Sequence, residues 1–147
     1  MSMGAVYRRR GFHYERELAR MLYREGFAVI RAPASGSRAK RVFYPDIVAL
    51  YKKNILVFEV KARSELCDIY IDKYKVERLR DFAERSGGEA YIAVKITSMG
   101  EWRVVPISQL WITEAGNYRV SKFTLERSAR LEELLKRVKV MVVSSVG

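Results

Sequence analysis

Apolar residues along the chain fall into two patterns, one with helical spacing and one of short continuous runs. Residues 12–26 predict a helix, with Leu18, Ala19, Met21 and Leu22 as its apolar stripe and Gly26 as its stop. Residues 72–86 predict a second, in which Val76, Leu79, Phe82 and Ala83 recur on one face until Gly87-Gly88 ends it. A third runs from about Ser128 to Val140, with Leu131, Leu134, Leu135 and Val138 aligned. Strands are predicted at 27–31, 46–51, 55–61, 90–94 and 102–105. Pro33 to Arg41 is small, polar and basic, and reads as a loop.

The order helix, strand, hairpin, helix, strands, helix predicts an α/β protein with a mixed central β-sheet flanked by α-helices. At 147 residues the expectation is a single domain over 1–147, with residues 1–10 a flexible basic segment. The strands at 46–51 and 55–61 are apolar at nearly every position, as in a sheet centre covered on both faces. Lys52-Lys53-Asn54 between them suggests a hairpin.

Glu59 and Lys61 interrupt this apolar run. Being two apart on a strand, they leave the same face. An even-numbered loop, such as Lys53-Asn54, makes Asp46 face Lys61 and Val48 face Glu59. Asp46 and Glu59 then become diagonal neighbours roughly 7–8 Å apart at the backbone. A three-residue loop would turn Asp46 to the other face. Acid-x-lysine alone is common, and Asp46 as a strand-start cap beside a Glu59–Lys61 surface pair is the bland reading. Charges inside a buried strand are costly unless paired or metal-bound, which favours a site.

Composition narrows the chemistry. Hydrophobic residues make up 49% of the chain, which is globular and not disordered. One cysteine, Cys67, excludes an intramolecular disulfide, and with a single histidine, His13, it excludes a cysteine- or histidine-rich zinc site. A bound metal would therefore sit on carboxylates and backbone oxygens, which selects Mg²⁺, with Mn²⁺ as a substitute. No apolar run follows Arg8-Arg9-Arg10, and none approaches about 18 residues, so a soluble cytoplasmic protein with no membrane partner is expected. The net charge is +11, and the first 45 residues hold ten Lys/Arg against three Glu. That imbalance favours nucleic acid as partner. Two carboxylates holding a metal, with a lysine to orient water or stabilise developing charge, suit phosphodiester hydrolysis.

Pro45-Asp46 followed across a hairpin by Glu59-Val60-Lys61 resembles the PD-(D/E)XK nuclease superfamily, with its restriction-endonuclease-like fold. More narrowly, the chain resembles archaeal Holliday junction resolvases of the Hjc type. The segments that carry this are Gly11-Phe12-His13-Tyr14-Glu15-Arg16, the run from Gly26 to Ser37, Pro45-Asp46-Ile47, Glu59-Val60-Lys61-Ala62-Arg63 and Ser86-Gly87-Gly88. The resemblance implies a Mg²⁺-dependent homodimer that nicks opposed strands of a four-way DNA junction in recombination and repair, associated with the nucleoid. It implies Asp46, Glu59 and Lys61 as catalytic core, and Glu15 and the Val60 carbonyl at or near the metal. It implicates Ser35, Arg16 and Arg31 in activity or DNA contact. Val138 to Val143 shows no sliding-clamp peptide, so clamp recruitment is not supported.

Other readings stay open from the residues alone. Ser35-Gly36-Ser37 is either a plain turn or a phosphate holder, with Arg38, Lys40 and Arg41 beside it as DNA contacts. Arg8, Arg9 and Arg10 are either a free tail or phosphate contacts. Arg16, Arg20 and Arg24 read as an ordinary basic helix face. Tyr70 packs or touches DNA. Two rivals to junction resolution remain: a nuclease of the same superfamily with another DNA substrate, and a catalytically silent junction-binding protein.

Overall fold

A computed structural model describes the backbone of residues 3–32 and 42–146, and the side chains of 12–32 and 42–144. A long helix α1 (Met3–Arg24) precedes strand β1 (Ala28–Arg31) and the hairpin β2 (Ile47–Tyr51) and β3 (Asn54–Arg63). Then come β4 (Ile69–Ile71), α2 (Lys73–Ser86), β5 (Glu89–Ile96) and β6 (Glu101–Pro106). A 3₁₀ turn, β7 (Trp111–Ile112), β8 (Tyr118–Val120), α3 (Lys122–Arg127), β9 (Ala129–Arg130) and α4 (Leu131–Val146) complete the chain. The main sheet has the order β1-β2-β3-β5-β6-β9, and only β3 and β5 are parallel. It is the expected mixed sheet between helices.

Strand β3 divides two cores by its alternation. Leu56 and Phe58 join Leu18, Leu22, Trp102, Leu131 and Leu134 on the side of α1 and α4. Val57 joins Val76, Leu79, Ile92 and Val94 on the side of α2. Glu59 and Lys61 continue the Val57 face, so they point toward α2. Phe58 is fully buried, and a side chain of that size contributes roughly 1.5–3 kcal/mol.

The hairpin has an even loop, but it is Lys52-Lys53 and not Lys53-Asn54. Tyr51 pairs with Asn54 and Ile47 with Phe58. Both lysines have positive φ (46° and 70°), the twist that a two-residue hairpin requires. The Asn54 amide donates to the carbonyls of Tyr51 and Lys52, which favours the turn one residue earlier. The register therefore moves by two residues, and Asp46 falls opposite Glu59 instead of Lys61. The parity that puts Asp46, Glu59 and Lys61 on one face is kept.

Other boundaries also differ from the sequence expectation. Residues 3–10, expected to be flexible, continue α1. Gly11 within a helix costs about 1 kcal/mol against alanine, which weakens a helix without ending it. The last helix starts at Leu131, not Ser128, because Ala129 and Arg130 pair with Val104 and Arg103 as an edge strand. The small sheet β4-β8-β7 and helix α3 had no counterpart in the sequence reading. The helix at 72–86 appears as expected: Asp72 caps its start through Tyr74 N–H, and Gly87 ends it in the left-handed region. Gly88 must stay small, since a Cβ there would lie 2.6 Å from the Ile55 carbonyl oxygen.

Candidate active site

The site forms where β1 and β2 meet the middle of β3, opposite the first turn of α2. Asp46 immediately precedes β2, and its backbone carbonyl accepts from Ala32 N–H at 3.0 Å. Its carboxylate Oδ2 accepts from Val60 N–H at 2.8 Å. Asp46 is thus fixed from both sides by backbone, with its carboxyl at the edge of β3 that carries Glu59. In an extended strand the N–H and C=O of one residue leave the same edge, so the Val60 carbonyl also points to the side of Asp46.

Glu59 is the one buried charged residue among the described residues, at 3% exposure. Its Oε1 accepts from Lys75 Nζ at 3.1 Å. Burial, and next the neighbouring Glu59 charge, push the Asp46 carboxyl up to about 8. Two carboxylates so close in a low-dielectric site cannot both ionise cheaply. Burial lowers the pKa of Lys61, against the pull of the Glu59 charge. Burial would lower that of Lys75 too, but the ionic contact with Glu59 outweighs it and the net direction is upward.

Glu15, half-buried on α1, is raised by burial and also feels Arg31, Glu59 and Lys75. It stands close enough to share the field of the site. Among the described residues, however, no three His, Cys, Asp or Glu side chains converge as a ligand set. Two carboxylates and a strand carbonyl are what the fold brings together directly. Helix α1 is held in place by a polar clamp: Glu17 Oε2 accepts from Trp102 Nε1 at 2.9 Å and pairs with Lys95 Nζ at 3.0 Å.

Arg16 and Arg31 are exposed and flank Glu15 on the solvent side. Ser35, Ser37, Arg38, Lys40 and Arg41 lie outside the described residues. So do the side chains of Arg8, Arg9 and Arg10, whose backbone is helical. Lys75 was missed in the sequence reading. Its signal is a helix whose first turn carries Lys73 and Lys75 and no acid, the reverse of what the helix dipole favours. Lys73 has Glu77 four residues on, but the positions three and four after Lys75 are Arg78 and Leu79, and Lys75 pairs instead with Glu59 on β3.

The donor set suits a hard divalent cation. Both side chains are carboxylates, the third candidate is a carbonyl oxygen, and a cation would offset the burial and the Glu59 charge that raise Asp46. What the arrangement can do is hold such an ion beside a half-buried lysine at an open edge lined with arginine.

Comparison with known proteins agrees with this geometry. The sequence matches the family described as archaeal Holliday junction resolvase (Hjc) over residues 6–142. It is 44% identical over 129 residues to a protein of Sulfurisphaera tokodaii named crossover junction endodeoxyribonuclease Hjc, covering 88% of each chain. A protein of the same name from Sulfolobus acidocaldarius is 38% identical over the same length, again with 88% of each chain covered. The solved structure of the Archaeoglobus fulgidus Hjc, described as a Holliday junction resolvase, superposes with a TM-score of 0.73 at 34% identity, over 86% of this chain and 96% of that one. With a family match over nearly its whole length and the fold to go with it, the chain belongs to the archaeal Holliday junction resolvase family.

Proposed function

We propose that this protein resolves four-way DNA junctions by metal-dependent paired nicking, acting as a homodimer. The observation that carries the reading is the joint placement of Asp46, Glu59 and Lys61 on one face of the hairpin, on a chain of this family. Asp46, Glu59 and the Val60 carbonyl would hold Mg²⁺ or Mn²⁺, and Glu15 would act around them through water. A bound divalent ion would neutralise the scissile phosphate and make water a better nucleophile.

The protein's own groups do the rest. Val60 N–H fixes the Asp46 carboxylate so that little reorganisation is needed when the ion arrives. Lys61, half-buried, presents a compact cation to the charge that develops on the phosphoryl oxygens. Arg31 and Arg16 attract the DNA backbone to the same edge. Among the described residues no helix is long and apolar enough to cross a membrane, and a DNA substrate would place the protein with the nucleoid. The final helix packs through Leu131, Leu134, Leu135 and Val138.

A synthetic four-way junction and a matched linear duplex, each with Mg²⁺ and with EDTA, test the reading. Symmetric paired nicks in the junction alone, only with metal, are expected. Equal cutting of linear duplex would assign another DNA substrate. Tight junction binding without cutting in either Mg²⁺ or Mn²⁺ would make this a silent binding protein.

The dimer follows from symmetry: one compact site cannot cut two opposed strands, whereas a two-fold pair matches the two-fold junction. Light scattering at micromolar concentration should give twice the 17.1 kDa chain mass. A strict monomer, both free and junction-bound, would overturn it.

A further inference from the structure

Beyond the catalytic edge, α1 and β1 enclose an open groove of about 380 Å³. Arg16, Arg20, Arg24 and Arg31 line it, Ala19 and Val29 form its apolar floor, and Tyr23 stands over it 74% exposed. No acid lines it. Among the described residues none of these four arginines makes an ion pair within 4 Å, while Arg85, Lys95, Arg103, Arg130 and Lys139 all do.

The acids that could have neutralised the groove are drawn elsewhere. Glu17 pairs with Lys95, and Glu25 with Lys139 at 2.8 Å. Glu15 reaches Arg16 and Arg31 through space, at the catalytic end. Arg20 and Arg24 are left facing solvent and one another. Like charges four apart on a helix repel, so the row works against its own helix. What it offers in return is a field for a polyanion.

Spacing suits a phosphate backbone. Residues four apart on a helix are separated by about 6 Å, so Arg16 to Arg24 spans about 12 Å. That is three to four base pairs of rise along a duplex axis at about 3.4 Å each.

We propose that Arg20 and Arg24 continue the contact made by Arg16 and Arg31, forming a phosphate track along α1 that carries one arm of the DNA away from the catalytic edge. The inference rests on the DNA substrate proposed above and adds a site outside the catalytic centre. Guanidiniums on an apolar floor contact phosphate oxygens and read no base, so the track strengthens binding without adding sequence preference.

The test measures affinity for a four-way junction by fluorescence anisotropy across a salt series in EDTA, where no cutting occurs. For the double variant Arg20→Ala/Arg24→Ala, the slope of log affinity against log salt should fall in magnitude by about 1–2. The loss should be equal for junctions of different sequence, and single-turnover cutting at saturating protein should be unchanged. An unaltered slope would overturn the track. So would an equal drop on Lys122→Ala/Arg127→Ala, because the DNA would then be sensing net charge alone. A parent protein with no preference for junction over duplex would instead count against the proposed function, which separates the two failures.

Discussion

Asp46→Asn should abolish junction cutting, with a loss of roughly 10²–10³-fold or more, and should leave junction binding intact. Asparagine retains a side-chain oxygen to accept from Val60 N–H, so the local fold survives. What goes is the charge that would hold the cation. The same substitution should stabilise the metal-free protein above neutral pH. The Asp46 carboxyl is raised from its ordinary 3.8 to about 8 by burial and by Glu59. Its contribution to stability is therefore fully present below about pH 4 and is lost as pH rises through about 8, where the folded protein must ionise it. In EDTA the parent should lose stability across that window, on the order of a few kcal/mol, and the variant should not. At pH 8.5 the variant should melt roughly 5 °C or more above the parent. Thermal scans from pH 5 to 9 decide this. A variant that melts at or below the parent throughout would mean the two carboxylates do not crowd one another, and a variant that no longer binds junction would make Asp46 structural.

Lys75→Ala should have the next largest effect, with opposite signs in two measurements. Glu59 is almost fully buried and Lys75 is its one ion-pair partner within 4 Å among the described residues. Removing one side of such a pair leaves a buried charge uncompensated. Lys75 itself is half-exposed, so solvent screening reduces the loss to about 1–2 kcal/mol. The metal-free variant should melt lower than the parent at pH 7. The same lysine would compete with a divalent ion for the Glu59 oxygen. Without it, the Mg²⁺ concentration for half-maximal cutting should fall about 5–10-fold, the equivalent of about 1–1.4 kcal/mol, and Mn²⁺ should raise the melting temperature more than it does in the parent. An unchanged metal requirement would show that Lys75 does not occupy the cation's place.

The hairpin and its face were legible in the sequence because a strand has a period of two. Any even loop puts Asp46 on the face of Glu59 and Lys61, so an error in choosing the loop changed which residues oppose without changing the site. The loop itself was misplaced because Lys52 and Lys53 are not residues that announce a left-handed turn. α2 was legible because Val76, Leu79, Phe82 and Ala83 recur at helical spacing and Gly87 is a strong stop signal. The early part of α1 was not, since glycines at positions 4 and 11 and a row of arginines resemble a tail. Lys75 stayed hidden for a different reason: its partner is 16 residues away on another element, and no local pattern encodes that. The groove along α1 was hidden in the same way, because a basic helix face looks ordinary until its acids are seen to be engaged elsewhere.

The hydrogen bond from Ala32 N–H to the Asp46 carbonyl closes the base of the segment between them. Whatever path residues 33–41 take, the two points where the segment leaves and rejoins the sheet are tied to each other. Doubling the length of a segment with fixed ends costs only about 0.6 kcal/mol of closure entropy. A change in the length of that stretch would therefore cost little while the carboxylate behind it stays in register. The length of the stretch and the register of the carboxylate are separate quantities, because the tie between Ala32 and Asp46 holds the second whatever the first.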